Sequence, residues 1–381
     1  MATTTTTALR VPRNAAAPWR HLDVSILAAT AGLAGLGLVM IYSATRGKLG
    51  QAGLDPYFYV KKQALWVVLG VIAMTLVASI DYRRAREFAP VLYGGALVVL
   101  LAVISPLGSQ TKGAQAWFQM GPFKFEPSEW AKVVLIVCVA SYGASHRGEL
   151  TGRQVLGVLA LAAFPMALIE AQPDLGTNLV FMAILMAVLL VAGARPRHIA
   201  TLTVIGIVGS VAVLQLGFLK HYQVDRLTAF LHPTGDVTGS TYNLHQSVNA
   251  IAAGSFTGKG LFKGTQTNLG FVPEQHTDFI FTVVGEELGF VGAVTLLGLF
   301  AIVVWRTWRT ASLARDLFGT LLCVGVLAML VFQIFENIGM TMGIMPITGI
   351  PLPFMSYGGS ATIASFVAVG LVLNVHMRRF S

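Results

Sequence analysis

Charged residues are scarce in this chain. Asp, Glu, Lys and Arg make up 11% of its 381 residues, whereas 55% of the residues are hydrophobic. Soluble domains usually carry about 25% charged residues, so this balance excludes an ordinary soluble protein. Apolar runs of about 18 residues or more recur along the whole length, which is typical of a polytopic helical membrane protein. We therefore predict an all-α fold that crosses the membrane many times.

Cysteine is also rare, and both Cys138 and Cys323 lie within apolar runs. Their spacing excludes a disulfide framework or a zinc site, and we expect both to behave as small buried hydrophobic residues. The net charge is +9 at pH 7. In a membrane protein, arginines that fix the topology explain this charge better than nucleic-acid binding, so no nucleic-acid partner is expected.

A cleavable signal peptide is not evident at the N-terminus. Residues 1–20 are polar, and the apolar run after them is too long for the hydrophobic part of a signal peptide. We predict that residues 1–20 are a disordered cytoplasmic tail and that residues 21–381 form a single transmembrane domain.

Ten apolar segments are candidate transmembrane helices. They cover residues 22–44, 62–80, 88–106, 127–145, 153–171, 175–193, 198–218, 278–305, 317–342 and 359–377. Short segments on one side hold 15 of the 26 Lys and Arg residues, all of them arginines, so both termini are predicted to be cytoplasmic. The long segment 219–277, between the seventh and eighth spans, is then extracytoplasmic. Its mixed composition favours an ordered, functional loop.

Polar residues collect at the outer ends of several spans. In "PSEWAK" (127–132), Glu129 and Lys132 are three residues apart and able to pair on one helical face, with Pro127 and Ser128 as helix-start signals. A lysine a turn into a span costs about 2.5–3.5 kcal/mol, which favours a functional role for Lys132.

Two further clusters join later spans. In "EAQPDLGT" (170–177), Gln172 and Asp174 are adequately explained as capping groups of a hinge. The proline- and glycine-rich segment 335–360 predicts non-helical backbone at membrane depth, which is tolerated where it lines a cavity. Glu336 and Asn337 are expected near the wall of that cavity.

The glycine-rich stretch "GSFTGKGLFKGTQT" (254–267) matches neither a dinucleotide fingerprint nor a P-loop, and we expect no organic cofactor. Its Lys259 and Lys263 either contact a phosphate or lie in a solvated loop.

The heptapeptide "PEQHTDF" (273–279) precedes the eighth span. Thr277 is predicted to cap this helix and Asp278 to lie in its first turn. Glu286, eight residues further, falls on roughly the same face, so we expect that face to line a cavity.

Several motifs carry a resemblance to a known family. They are "YSA" (42–44), "KQ" (62–63), "PSEWAK" (127–132), "QPDLGT" (172–177), "HQSVNAIAAG" (245–254), "PEQHTDFIF" (273–281), "GEELGF" (285–290) and "GMTMGIMPITGIPLPFMSYGGS" (339–360). In this order the chain is similar to the SEDS family of shape, elongation, division and sporulation proteins, from about residue 22 to 377. Segment 258–281 resembles the elongation member, RodA, more than the division member, FtsW.

The resemblance implies a peptidoglycan glycosyltransferase of the bacterial cytoplasmic membrane. Such enzymes polymerise lipid II, the undecaprenyl-pyrophosphate-linked disaccharide-pentapeptide, beside a class B penicillin-binding protein and within membrane lipid. The essential aspartate of the family maps onto Asp278, the expected general base. The other predicted substrate-binding residues are Trp117, Glu129, Lys132, Gln172, Asp174, Arg226, Gln246, Glu274, His276, Thr277 and Ser356.

The departing pyrophosphate needs a cation. The candidates are Lys132, Arg226, Lys112, Lys259 and Lys263, or Mg²⁺ or Mn²⁺ held by Glu129, Asp174 or Asp278. The chain departs from the family in three places: Ala116 replaces a common arginine, Glu126 replaces a common glutamine, and the glycine pair often seen after "AI" is altered to "AAGSF" (252–256). A lipid II flippase, a division enzyme of the same family and a non-enzymatic scaffold are the alternative functions.

Overall fold

The computed structural model describes residues 21–111, 114–121, 123–146, 148–217, 221–231 and 239–379. The protein is 76% helical and 3% strand, which confirms the predicted fold class. The tail predicted over residues 1–20 and the candidate Lys112 lie outside the described residues.

Each of the ten predicted spans lies on a helix. These helices are α1 (Val24–Gln51), α2 (Phe58–Ser79), α3 (Tyr82–Ile104), α4 (Pro127–Ser145), α5 (Gly152–Ala171), α6 (Leu175–Val191), α7 (Pro196–Gln215), α11 (Ile280–Ser312), α12 (Leu317–Thr341) and α13 (Gly359–Arg378). The predicted extracytoplasmic loop contributes the shorter helices α8 (His221–Leu231), α9 (Gly239–Gly254) and α10 (Thr265–Leu269), so its described parts are ordered as expected.

Eight of these helices are long and apolar enough to cross a membrane. The two remaining predicted spans are α6, which has 17 residues, and α4, whose first turns carry polar side chains including Glu129 and Lys132. Both pack among the other helices. The described chain is therefore a multi-pass helical membrane protein.

A small antiparallel sheet, which the sequence did not predict, lies between α3 and α4. Its strands are β1 (Ser109–Thr111), β2 (Ala114–Met120) and β3 (Phe123–Phe125), in the order β1-β2-β3. Phe118 pairs with Phe125, and the ring of Phe123 packs edge-on against Trp66 of α2, with centroids 5.0 Å apart. The sheet thereby fixes the start of α4 against α2.

Helix α13 packs closely along α2. A Cβ atom on Gly370 would lie 2.8 Å from the carbonyl oxygen of Met74, so only glycine permits this approach. Arg378 donates hydrogen bonds to the carbonyl oxygens of Ala78 and Ser79, at 3.0 and 2.7 Å. These carbonyls end α2 and have no partner within the helix, so α13 caps its neighbour.

Helix α11 is broken at Gly289, whose φ is +63°. The loop after α9 occupies the break: the backbone N–H groups of Phe290 and Val291 donate to the carbonyl oxygens of Ser255 and Phe256, at 3.0 and 3.2 Å. A Cβ atom on Gly289 would lie 2.3 Å from the backbone nitrogen of Gly258. The predicted extracytoplasmic loop is thus docked on the broken helix.

The prediction that Glu286 faces a cavity is wrong. Its fully buried carboxylate accepts hydrogen bonds from the backbone N–H groups of Gln266 and Thr267, both at 2.9 Å. Lys259 pairs with the same carboxylate, with Nζ 2.9 Å from Oε1. The glycine-rich loop therefore folds over this face of α11 and neutralises its charge.

Candidate active site

A cavity of about 840 Å³ opens where the outer ends of several elements meet. Its wall comes from α2, the sheet, the start of α4, the hinge between α5 and α6, helix α8, the turn before α11 and the loop between α12 and α13. Among the predicted site residues, the lining includes Trp117, Glu129, Lys132, Asp174, Arg226, Glu274, His276, Thr277 and Asp278. Residues from distant parts of the chain therefore meet in one place.

The heptapeptide 273–279 forms a compact turn. Helix α11 begins at Ile280, and the hydroxyl of Thr277 donates to the backbone oxygen of Glu274 at 3.1 Å. The N–H groups of Thr277 and Phe279 donate to that same oxygen, at 3.1 and 3.3 Å. The predictions that Thr277 caps the helix and that Asp278 lies in its first turn are therefore wrong, because the turn closes on Glu274.

The position of Asp278 is set by a neighbouring helix. The side-chain amide of Asn337 on α12 donates to the backbone oxygens of Asp278 and Ile350, at 2.9 and 2.7 Å. The buried Asn337 and Glu336 thus lie directly behind the cavity wall, as expected. Asp278 itself is half-buried.

Arg226 reaches the same region from α8. Its Nη1 atom donates to the backbone oxygen of Thr348 at 3.2 Å. A Cβ atom on Gly349 would lie 3.5 Å from Oδ2 of Asp278 and 4.0 Å from Nη1 of Arg226. Gly349 has a φ of +82°, which favours glycine. Because Gly349 has no side chain, the carboxylate of Asp278 and the guanidinium of Arg226 both fit on one side of this loop.

Glu129 and Lys132 form the predicted ion pair. Lys132 Nζ lies 2.6 Å from Glu129 Oε1, and the two side chains are only 2% and 5% exposed. Both also line the cavity. Pro127, at the first position of α4, fixes the start of the helix that presents them.

Two more carboxyl groups lie on this wall. Asp174 is the N-cap of α6, as predicted, and its Oδ1 accepts a hydrogen bond from the Thr177 backbone at 3.0 Å. Glu126 accepts a hydrogen bond from the indole of Trp117 at 3.2 Å. Burial, together with the negative charges of Glu129 and Asp174, raises the pKa of Glu126 to about 8.

An aromatic cluster borders Asp278. The rings of Tyr59 and His276 have centroids 4.8 Å apart, and each packs against Tyr357, at 5.0 and 5.6 Å. The ring of His276, a predicted substrate-binding residue, thus packs within this cluster. The indole of Trp117 lines the cavity near the sheet. The wall thus offers flat apolar faces as well as charges.

Sequence reasoning missed several lining residues, including Tyr59, Lys62, Trp66, Lys124 and Tyr357. Lys62 had a usable signal, because it is a cation at the outer end of the second predicted span. No sequence pattern indicated Lys124, because the sheet that carries it was not predicted.

Three predicted substrate-binding residues lie away from the cavity lining. Gln172 is buried and donates to the carbonyl oxygen of Leu100 at 3.3 Å. Ser356 donates to the backbone oxygen of Thr277 at 2.6 Å and so supports the turn from behind. Gln246 is half-buried on α9. A direct contact of these three with substrate stays a prediction, as does any role of Lys259 or Lys263 at the pyrophosphate.

The residues present do not match a resident divalent cation. Glu129, Asp174 and Asp278 share the cavity, but no group of three His, Cys, Asp or Glu side chains in the described part of the chain is arranged to hold a metal ion. Oxygen-ligand sites for Mg²⁺ normally need several such groups or bound phosphates. We therefore assign no step of the reaction to a metal ion.

Comparison with known proteins identifies the family. The model of the cell cycle protein family of FtsW, RodA and SpoVE matches residues 24–380. The chain is 37% identical to the probable peptidoglycan glycosyltransferase FtsW of Geobacter sp. (strain M18), over 93% of this chain and 97% of that protein. It is 34% identical to the peptidoglycan glycosyltransferase MrdB of Escherichia coli (strain K12), over 94% of each chain.

A solved structure is also similar. It comes from work on the structural coordination of polymerization and crosslinking by a peptidoglycan synthase complex. The TM-score is 0.80 and the identity 33%, with 94% of this chain and 99% of that chain covered. Similarity over nearly the whole length, in sequence and in fold, confirms the resemblance. The chain belongs to the SEDS family and is a peptidoglycan glycosyltransferase of the bacterial cytoplasmic membrane.

Proposed function

We propose that this chain polymerises lipid II into glycan strands at the outer face of the membrane, by inverting transfer with Asp278 as the general base. Asp278 takes the proton from the 4-hydroxyl of the acceptor GlcNAc as that oxygen attacks C1 of the donor MurNAc. The C1–oxygen bond to the pyrophosphate breaks, and undecaprenyl pyrophosphate leaves. A single base suffices because the leaving group is already a good one.

The observation that carries the proposal is the position of Asp278 in the cavity. A Cβ atom on Gly349 would lie 3.5 Å from a carboxylate oxygen of Asp278 and 4.0 Å from a guanidinium nitrogen of Arg226. A base therefore lies beside a cation in one partly enclosed site. Charged groups that the fold already holds in position stabilise the negative charge that develops on the leaving pyrophosphate better than mobile water does.

Other cations extend the site towards the sheet. Lys62, Lys124 and Lys132 line the cavity together with Arg226. Lys132 is held by Glu129 and is therefore a fixed charge, whereas Lys62 lies 4.2 Å above the ring of Phe58. We assign the pyrophosphates of donor and acceptor to this cationic wall, and the sugar rings to the aromatic cluster beside Asp278.

The test is polymerisation of lipid II by purified protein, with Asp278→Asn compared with wild type. We expect glycan strands from wild type and a loss of at least about 100-fold in the variant, since general base catalysis contributes about 10²–10⁴-fold. Asp55→Asn is the matched control, because Asp55 is an exposed carboxylate paired with Lys61 outside the cavity. Normal polymerisation by Asp278→Asn rejects the base assignment.

We also assign this chain to elongation, with a class B penicillin-binding protein as its crosslinking partner. Support for elongation comes from segment 258–281, and support for a partner comes from the solved relative, which belongs to a peptidoglycan synthase complex. Expression in cells depleted of their own elongation or division enzyme discriminates the two roles. Rescue of division alone contradicts the assignment.

A further inference from the structure

The cavity wall near the start of α4 holds three carboxyl groups. Glu126, Glu129 and Asp174 all line it, and the buried amine of Lys132 lies 2.6 Å from Glu129. In the part of the chain that the structure describes, the recorded ion pairs include neither Glu126 nor Asp174. An unpaired charge in a half-buried wall is costly, and a bound proton removes that cost.

The three carboxylates are not stabilised equally. Glu129 has Lys132, and Asp174 accepts a backbone N–H at the positive end of α6. Among the described residues, the side chains that donate to the Glu126 carboxylate are neutral: Ser128 at 3.1 Å and Trp117 at 3.2 Å. Although Glu126 is the N-cap residue of α4, its side chain accepts no capping hydrogen bond. Of the three anions, that of Glu126 is therefore the least stabilised.

We propose that Glu126 is neutral while the enzyme works and donates a hydrogen bond from its carboxyl group to an oxygen of the bound lipid-linked saccharide. The inference rests on the proposed function. The residue is held in place, because its backbone N–H donates to the hydroxyl of Ser360 on α13 at 2.9 Å. A neutral carboxyl offers a donor to an anionic substrate, whereas an ionised one repels it.

The surrounding charges agree with this assignment. The titratable groups that interact with Glu126 are Glu129 and Lys132 from α4 and Asp174 from the hinge, and the two acids together with burial raise the pKa of Glu126 to about 8. Lys124 of β3 also lines the cavity. Polymerisation should therefore fall as the pH rises through about 8, approaching tenfold for each further pH unit.

Three variants test the assignment through the pH profile. Glu126→Gln keeps a neutral donor, so the loss of activity above pH 8 should disappear. Glu126→Leu removes the donor and should lower kcat/KM about tenfold below pH 8, where Glu126 of wild type is neutral. Glu170→Gln is the control, since Glu170 is exposed on α5 and lies outside the cavity. A Glu126→Gln enzyme that keeps the wild-type alkaline loss overturns the proposal.

An infrared titration of the substrate-free protein gives an independent measurement. A component of the protonated-carboxyl band that vanishes as the pH rises through about 8 should be present in wild type and in Glu170→Gln, and missing from Glu126→Gln. Without such a band in wild type, the proposal fails whatever the polymerisation assay shows. If the band is present but lipid II is not polymerised, the proposed function is wrong and the proton on Glu126 stands.

Discussion

Replacing Lys132 with methionine should strongly destabilise the protein. The substitution keeps most of the apolar stem but removes the ammonium group that pairs with Glu129 at 2.6 Å. Glu129 has a side chain that is only 5% exposed, so the variant leaves an uncompensated carboxylate in the interior. Breaking a buried pair in this way costs about 3–5 kcal/mol.

The double variant Lys132→Met/Glu129→Gln separates charge from packing. With both charges absent, no ion has to be desolvated, and buried pairs replaced by neutral groups are often about as stable as the original. We therefore expect the double variant to recover at least about 2 kcal/mol relative to Lys132→Met alone. Activity should not recover, because the fixed cation on the cavity wall is still missing.

The free energy of unfolding of the four proteins, measured by detergent-induced unfolding in mixed micelles, gives the coupling energy of the pair directly. Polymerisation of lipid II is measured on the same preparations. A cost below about 1 kcal/mol for Lys132→Met, or simple additivity in the double variant, refutes the reasoning about an uncompensated charge. A stable and fully active double variant refutes the role of Lys132 at the pyrophosphate.

Three other perturbations have clear expected outcomes. Gly254→Ala places a Cβ atom 1.8 Å from the carbonyl oxygen of Gly285. The clash should lower the free energy of unfolding by about 1–3 kcal/mol and so lower the thermal midpoint, and an unchanged midpoint contradicts this close approach. Gly349→Ala forces a side chain into a φ of +82° beside Asp278 and should reduce polymerisation; normal turnover means that the loop adjusts freely. The free energy of unfolding should fall as the pH rises from about 4.5 to about 8. Folding raises the pKa of Glu126 from 4.5 to about 8, so the folded state binds the proton more tightly and loses this advantage as the proton leaves. Glu126→Gln should weaken this pH dependence, and identical profiles for wild type and the variant are the contrary result.

The spans were predictable because each one is a local pattern. The helix-start signal Pro127 is the first residue of α4. The Glu129–Lys132 pair was equally local, since residues three apart share a helical face. Where a feature depends on a few neighbouring residues, one sequence is enough to place it.

The sheet and the turn before α11 required information that the sequence does not carry locally. Strands of three to seven residues give too short an alternation to stand out beside long apolar runs. Next to Asp278, Thr277 was predicted to cap the helix, but its hydroxyl instead donates to the backbone oxygen of Glu274 and closes a turn. Ser356 stabilises this turn from 79 residues away, and such tertiary contacts override local preferences.

Glu286 shows why two acids on one helical face were misread. The helical spacing from Asp278 was a sound argument for a shared face only if Asp278 belonged to the helix, and α11 begins at Ile280. The face of Glu286 is also covered by the loop around Lys259. A costly charge in a span does indicate a partner, but that partner is the protein's own loop and not a substrate.

The turn that carries Asp278 is bonded through its backbone oxygens: Asn337 binds that of Asp278, Ser356 that of Thr277, and the N–H of Tyr357 that of His276. Two of these three donors belong to the loop between α12 and α13, which also presents Gly349 beside the carboxylate. The turn that carries Asp278 is therefore held jointly by α12, through Asn337, and by the loop between α12 and α13, through Ser356 and Tyr357.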